Sequence, residues 1–335
     1  MLMIYTDTDT CSWHVNNLNI NNNLNVAVFH MPYPYKSSFA TAVDQALKQY
    51  NRIAVLISEL HLDSAAFCLK YQDPKIQYFT CGFVDSVDTI PWMDWFITTS
   101  GHYQSHQLEK LSPYAVKSKM FDILLGQPKP HRYLIQNYVK SSRLNDQVIM
   151  TMLQDNNLSP IRQQNNSNWL WEPGITAHDN LRGSITPIKF NGQQMLLSQV
   201  IPFSIYNQTA YTVVAETNYD NHYSFYTEKI VKPILAERLF IVFSGQYYLR
   251  NLRKLGFKTF DGIIDETYDS IADNDQRFSS ACEQMEYLFN QSQEEVLAKI
   301  RSVTEHNKQV MLETDWYGNF SKELRAVLLD HTRQN

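Results

Sequence analysis

Cysteine is scarce in this chain of 335 residues, and Cys11, Cys68, Cys81 and Cys282 show no C-x-x-C spacing. That argues against a zinc ribbon and against a disulfide framework, and fits free thiols in a reducing compartment. Long apolar runs are missing too: none approaches the ~20 residues of a membrane-spanning helix. Met1-Leu2-Met3-Ile4-Tyr5 turns polar at Thr6, too early for a secretory signal peptide. The expectation is a cytoplasmic protein without a membrane span. Excess positive charge is absent, the net charge being −5 and the pI about 6.1, so any nucleic-acid contact needs a local basic patch. No internal repeat or low-complexity linker interrupts the sequence. What is present is 44% hydrophobic residues, ample for two domain cores.

Along the chain, apolar runs and helical patterns alternate as in an α/β layer. Leu2 to Tyr5, Val26 to Phe29, Arg52 to Ile57, Ile76 to Phe79 and Trp95 to Thr99 predict strands, with a helix through Ala40 to Tyr50. A second series begins after Ser112-Pro113: strand Met120 to Leu125, helix His131 to Ser141, strand Gln147 to Leu153. Residues 154–208 read as an irregular insertion with a hairpin near Ile188 to Leu197 around Asn191-Gly192. Tyr211 to Ala215 resumes the sheet, Gln246 to Lys254 predicts a helix, and the chain is mostly helical from about Gln276.

The organising stretch is Asn221-His222-Tyr223-Ser224-Phe225-Tyr226-Thr227-Glu228-Lys229-Ile230, followed by the apolar run Phe240 to Phe243. It predicts a loop, a helix capped by Thr227, and a covered strand. Glu228 and Lys229 then fall in the first helical turn, where free N–H groups and the helix dipole favour an anion such as a phosphate. Phe-Tyr-Thr-Glu-Lys-Ile resembles the donor-domain motif of α1,3-fucosyltransferases and related GT-B glycosyltransferases, and Met120 to Met152 with Phe225 to Tyr268 resembles phage-encoded glycosyltransferases. The resemblance implies that Glu228 holds the ribose of a nucleotide sugar and Lys229 its phosphates, with Phe225, beside Tyr226, by the base. It also implies a diphosphate-binding role for Arg132, which opens a helix in Pro130-His131-Arg132 and whose fork could grip two phosphate oxygens.

The fold expected is α/β of the GT-B kind, with two Rossmann-like domains facing a cleft. The first, acceptor-side domain would span 1–113 plus about 316–335, the last helix crossing back to it. The donor domain would span 114–315. No cofactor is expected beyond the nucleotide-sugar co-substrate, UDP- or GDP-linked, and no metal. A base for the acceptor proton should project from the first domain: Glu59, at the end of its strongest strand, with Asp7, Asp9 and His14, which follow the first strand, as rivals. Asp7-Thr8-Asp9 also matches the Asp-x-Asp metal motif of GT-A enzymes, and His102 with His106 shares a helical spacing without a third ligand. Trp169 and Trp171 could stack on an acceptor or anchor the insertion.

The phage resemblance makes a hydroxymethylated pyrimidine in double-stranded DNA the preferred acceptor, ahead of a cell-surface glycan or protein. A DNA substrate would be held by Lys110, Lys117, Lys119, Lys129, Lys140 and Arg143. The reading from a different class is a catalytically inert nucleotide- or DNA-binding module.

Overall fold

The computed structural model describes residues 2–5, 25–103, 108–152, 175–176 and 187–329, and shows an α/β protein with parallel sheets. In order come β1 (Leu2–Tyr5), β2 (Val26–His30), α1 (Ser37–Gln49), β3 (Arg52–Ile57), α2 (Leu62–Lys70), β4 (Ile76–Thr80), β5 (Gly82–Val84), β6 (Thr89–Pro91) and α3 (Asp94–Gly101). Then follow β7 (Lys119–Leu125), α4 (Pro130–Ser141), β8 (Val148–Met152), β9 (Ile175–Thr176), β10 (Pro187–Phe190), β11 (Gln193–Leu196) and β12 (Thr209–Ala215). The remainder is β13 (Tyr223–Phe225), α5 (Glu228–Leu235), β14 (Phe240–Phe243), α6 (Tyr248–Lys254), α7 (Asn274–Phe289), α8 (Gln293–Glu313) and α9 (Trp316–Leu329). By contacts the chain divides into two compact units, Met1–Ile97 with Asp220–Tyr226 and Asp315–Asn335, and Thr98–Tyr219 with Thr227–Thr314.

The first unit is built on a parallel sheet in the order β1-β2-β3-β4-β6. Strand alternation assigns its two faces. Ala27, Phe29, Ile53, Val55, Ile57 and Tyr78 pack with Phe39 and Val43 of α1 and Phe67 of α2. Val26, Val28, Ala54, Leu56 and Phe79 form the opposite core with Phe320, Leu324 and Leu328 of α9. Trp92 stacks on Phe320 at 5.2 Å, and Arg52 Nη1 donates to the Val327 carbonyl at 2.8 Å, meeting the negative end of α9. Both sides of every central strand are therefore covered, which is why these strands read as continuous apolar runs.

Two expectations fail in this unit. Trp95 to Thr99 is not a strand but lies in α3, with Phe96 and Thr99 buried three residues apart and Asp94 in the first turn. Three consecutive bulky residues, Trp95-Phe96-Ile97, mimic strand composition while the burial follows the helical period. Nor is the stretch before Thr227 all loop: β13 pairs antiparallel with β5. The approach is so close that a Cβ on Gly82 would lie 1.8 Å from the Ser224 carbonyl oxygen, so only glycine fits there.

The second unit carries a parallel sheet in the order β14-β12-β7-β8. In chain sequence that order is 2-1-3-4, so the winding reverses between β7 and β12 and leaves a topological switch point there. A small antiparallel sheet, β11-β10-β9, contains a hairpin turned by Asn191 and Gly192, both with positive φ. Two positive φ values are what a two-residue type I′ turn requires.

Candidate functional site

The carboxyl ends of β7 and β12 meet the N-terminal turns of α4 and α5 in the second unit. The helix starts follow from the sequence. Lys129 is the N-cap of α4 with Pro130 behind it, where a missing N–H costs nothing. Thr227 caps α5, its hydroxyl accepting from the Lys229 amide at 3.3 Å. That hydroxyl also donates to Glu216 Oε2 at 2.7 Å, tying the start of α5 to the residue directly after β12.

Glu216 is the group that sequence reading missed. It is wholly buried and accepts from the Thr227 amide at 3.3 Å, the Tyr248 hydroxyl at 2.8 Å and the Thr217 amide at 3.2 Å. Burial raises its pKa, opposed by Lys229 and by the hydrogen bonds from Thr227 and Tyr248. Removing the shared hydroxyl should be felt at once: Thr227→Ala is expected to destabilise the protein by about 1–2 kcal/mol. Urea denaturation checks this, an unchanged midpoint being the contrary result.

Glu228 and Lys229 come together as a pair. Lys229 Nζ lies 2.9 Å from Glu228 Oε1, 3.1 Å from the Thr217 hydroxyl and 3.3 Å from that of Thr227. The side chain of Lys229 keeps 21% of its surface, that of Glu228 only 6%. Burial pushes the Glu228 carboxyl up, but Lys229 and then Lys232 pull it down, and the net shift is downward.

Arg132 sits at the same strand ends, but its fork is already engaged. It is 3% exposed; Nη1 donates to the Gln127 carbonyl at 2.7 Å, and Nη2 to the carbonyls of Ala215 at 3.3 Å and Glu216 at 3.1 Å. Its Nε, buried, meets no partner among the described residues. The guanidinium thus ties the end of β7 to the end of β12 across the switch point. Beside it, His131 Nε2 lies 3.0 Å from the Glu216 carbonyl, which can only accept, so that nitrogen carries the proton and Nδ1 is a bare acceptor. Burial, then Arg132, lowers the His131 pKa to about 3 and keeps the ring neutral.

Phe225 and Tyr226 directly precede the Thr227 cap in the sequence. Both belong to the first unit and are buried, Phe225 in the core formed with α1 and α2, and Tyr226 edge-on to Phe83 and Phe96. Glu59 is half-buried two residues past the end of β3 in that unit, next to Ser58, whose hydroxyl lies 3.1 Å from His30 Nε2. Asp94, which sequence reading also passed over, lies in the first turn of α3 with its pKa raised to about 6 by burial. Asp7, Asp9, His14, His106, Trp169 and Trp171 lie outside the described residues. Among the described residues no cluster of three His, Cys, Asp or Glu could hold a metal, and no helix is long and apolar enough to cross a membrane.

No protein-family model, curated protein or solved structure matches this chain.

Proposed function

We propose that this protein is a glycosyltransferase of the GT-B type that takes a sugar from a nucleotide-sugar donor, with the second unit as the donor-binding body. The observation that carries the reading is the Thr227-Glu228-Lys229 helix start at the switch point of a parallel sheet, the place where such sheets bind nucleotides. Glu228 would accept from the ribose hydroxyls and Lys229 would stabilise the charge growing on the leaving diphosphate. A carboxylate of the first unit, Glu59 or Asp94, would take the acceptor proton as the hydroxyl attacks the anomeric carbon. Activity that persists in full with a chelator present is the expected mark of a metal-independent transfer.

The acceptor we propose is a hydroxymethylated pyrimidine in double-stranded phage DNA. What supports it is the resemblance to phage glycosyltransferases, and salt-sensitive binding to duplex DNA is the result it requires.

The experiment is a thermal-shift series with UDP, GDP, ADP, CMP and dTDP on the wild type and Glu228→Ala. Binding to the folded state raises the melting temperature by mass action, by about 2.7 kcal/mol of stability at a hundredfold excess over Kd. One nucleotide should raise the wild-type Tm by several degrees and leave the variant unmoved. A null series across all five removes the donor site and the transferase reading with it.

A further inference from the structure

The first unit has a strand-end surface of its own. Strands β2 and β3 run parallel with His30 opposite Leu56, and the Met31 amide extends the ladder to the Leu56 carbonyl at 2.9 Å. The loops that follow, 31–36 and 58–61, therefore leave side by side at the carboxyl edge, where sheets of this kind take ligands. His30 Nε2 meets the Ser58 hydroxyl across them at 3.1 Å, and the rings of Tyr33 and His61 meet with centroids 5.0 Å apart and planes at 60°. Tyr33 is nevertheless 68% exposed, and Leu62, beside His61, is exposed too. The His61 ring has a fixed tautomer. Its Nδ1 accepts from the Ser64 amide at 3.4 Å to cap α2, so the proton of the neutral ring sits on Nε2. Burial lowers the His61 pKa against the opposing pull of Asp63, which keeps that form. Neither His61 Nε2 nor the Tyr33 hydroxyl makes a hydrogen bond with any described residue, and the Ser58 hydroxyl meets only His30 among them.

An exposed aromatic face with a few polar tips beside it is the equipment for holding a flat ring by its face and edge. A pyranose carries hydroxyls around its whole rim and needs a partner for most of those it buries, whereas a nucleobase has few edge groups and a π face. Glu59 and Asp63 flank the loop 58–61, which favours a neutral ring over a phosphate. We propose that Tyr33, Ser58 and His61 form a seat for a pyrimidine ring, with Tyr33 stacking on its face, His61 Nε2 donating to a ring carbonyl and Ser58 bonding an edge group. The ring is the acceptor of the transfer proposed above, and the seat rests on that reading for the chemistry done there, while binding of the ring is testable alone. Glu59, named above as a candidate base, follows Ser58 directly in the chain.

The probe is hydroxymethylated deoxycytidine, the free nucleoside, titrated into the full chain and followed by ligand-observed NMR. Tyr33→Ala is expected to weaken it about 5- to 100-fold, the stacking of one base expressed as a ratio of dissociation constants. Tyr33→Phe should stay within a few-fold of wild type. His61→Asn keeps a side-chain oxygen to cap α2 but withdraws the Nε2 donor, and should weaken binding about 3- to 10-fold. Tyr287→Ala, an exposed tyrosine of α7 in the second unit, should match wild type. The nucleoside monophosphate should bind no more tightly than the nucleoside. Failure of the wild type to bind the nucleoside, or a Tyr33→Ala variant that binds it equally well, overturns the seat. Tyr33→Leu keeps apolar bulk without the ring and should lose binding in the same way, so a folding defect in one variant, seen by circular dichroism, does not hide the result. A methyl glucoside held through Tyr33 in preference to the nucleoside overturns the assignment of the ring. Nucleoside bound through Tyr33 without sugar transfer to hydroxymethylated DNA keeps the seat and sinks the transferase reading. Transfer that is unchanged in Tyr33→Ala and His61→Asn does the reverse.

Discussion

Arg238→Met is expected to cost about 3–5 kcal/mol of stability, the penalty for leaving a buried charge without its partner. The guanidinium is 2% exposed and each of its nitrogens is engaged. Nε donates to the Thr212 hydroxyl at 2.8 Å, Nη1 to the carbonyls of Tyr206 at 3.1 Å and Thr209 at 2.9 Å, and Nη2 to Asp122 Oδ1 at 2.7 Å and the Thr209 hydroxyl at 2.9 Å. It also lies over the Tyr206 ring, 4.2 Å from its centroid. Asp122, on β7, is wholly buried and its pKa is raised by burial despite the pull of Arg238. Without the guanidinium that carboxyl must either stay charged in the interior or take a proton, and the two carbonyls lose their donors. The double variant Asp122→Leu/Arg238→Met should recover much of the loss, since removing both charges leaves no orphan. Urea denaturation of the two single variants and the double decides it. A loss below about 1 kcal/mol in Arg238→Met would mean that water reaches the pair.

Where one physical signal dominates a segment, the fold is legible in the sequence. The β-branched run Arg52–Ile57 and the apolar run Phe240–Phe243 are strands with those bounds, because both faces of each are covered. Thr227 caps α5 as expected, its hydroxyl accepting from the Lys229 amide two residues on, a contact that lies wholly within the local sequence. The failures share a cause, which is dependence on a distant partner. Tyr223–Phe225 is only three residues long, and its pairing with Gly82–Val84 involves residues about 140 positions earlier, which no local pattern encodes. The α2 helix, Leu62–Lys70, went unassigned, its start being a capping box between His61 and Ser64 rather than an acidic or hydroxyl cap of the usual kind.

The site divides the same way. Glu228 and Lys229 could be placed from their own helix start, whereas Glu216 could not, because a carboxylate after a strand is ordinary until Thr227 and Tyr248 are known to face it. Its one local trace is the acid directly following the buried β12 run. Arg132 shows the opposite hazard. Its position at a helix start was legible, but its partners are carbonyls of β12's end, more than eighty residues away, and they occupy the fork that a ligand would need.

On the donor-site reading proposed above, affinity for a nucleotide sugar is expected to depend on pH through Lys232, one turn along α5 from Glu228. Its pKa is lowered from 10.5 to about 8, first by burial and further by Lys229, against the opposing pull of Glu228, Asp122 and Glu216. Below that pKa the ammonium is charged and a diphosphate gains from it. Above it, affinity for a nucleotide sugar, whose diphosphate bridge does not titrate near neutral pH, should fall by up to about tenfold per pH unit. Binding above that pKa should be accompanied by proton uptake, because the bound anion favours the charged lysine. The stability of the free protein runs the other way. A lysine whose folded pKa lies below its unfolded value disfavours folding at low pH, and the penalty lifts as pH rises from about 8 towards 10.5, so Lys232 makes the empty protein more stable across the window in which it loses its ligand. Calorimetric titration in two buffers of different ionisation enthalpy measures the proton uptake, and Lys232→Arg should abolish it while keeping the affinity. A wild-type affinity that stays flat from about pH 7 to about pH 10, across the Lys232 transition, would place that ammonium away from the anion.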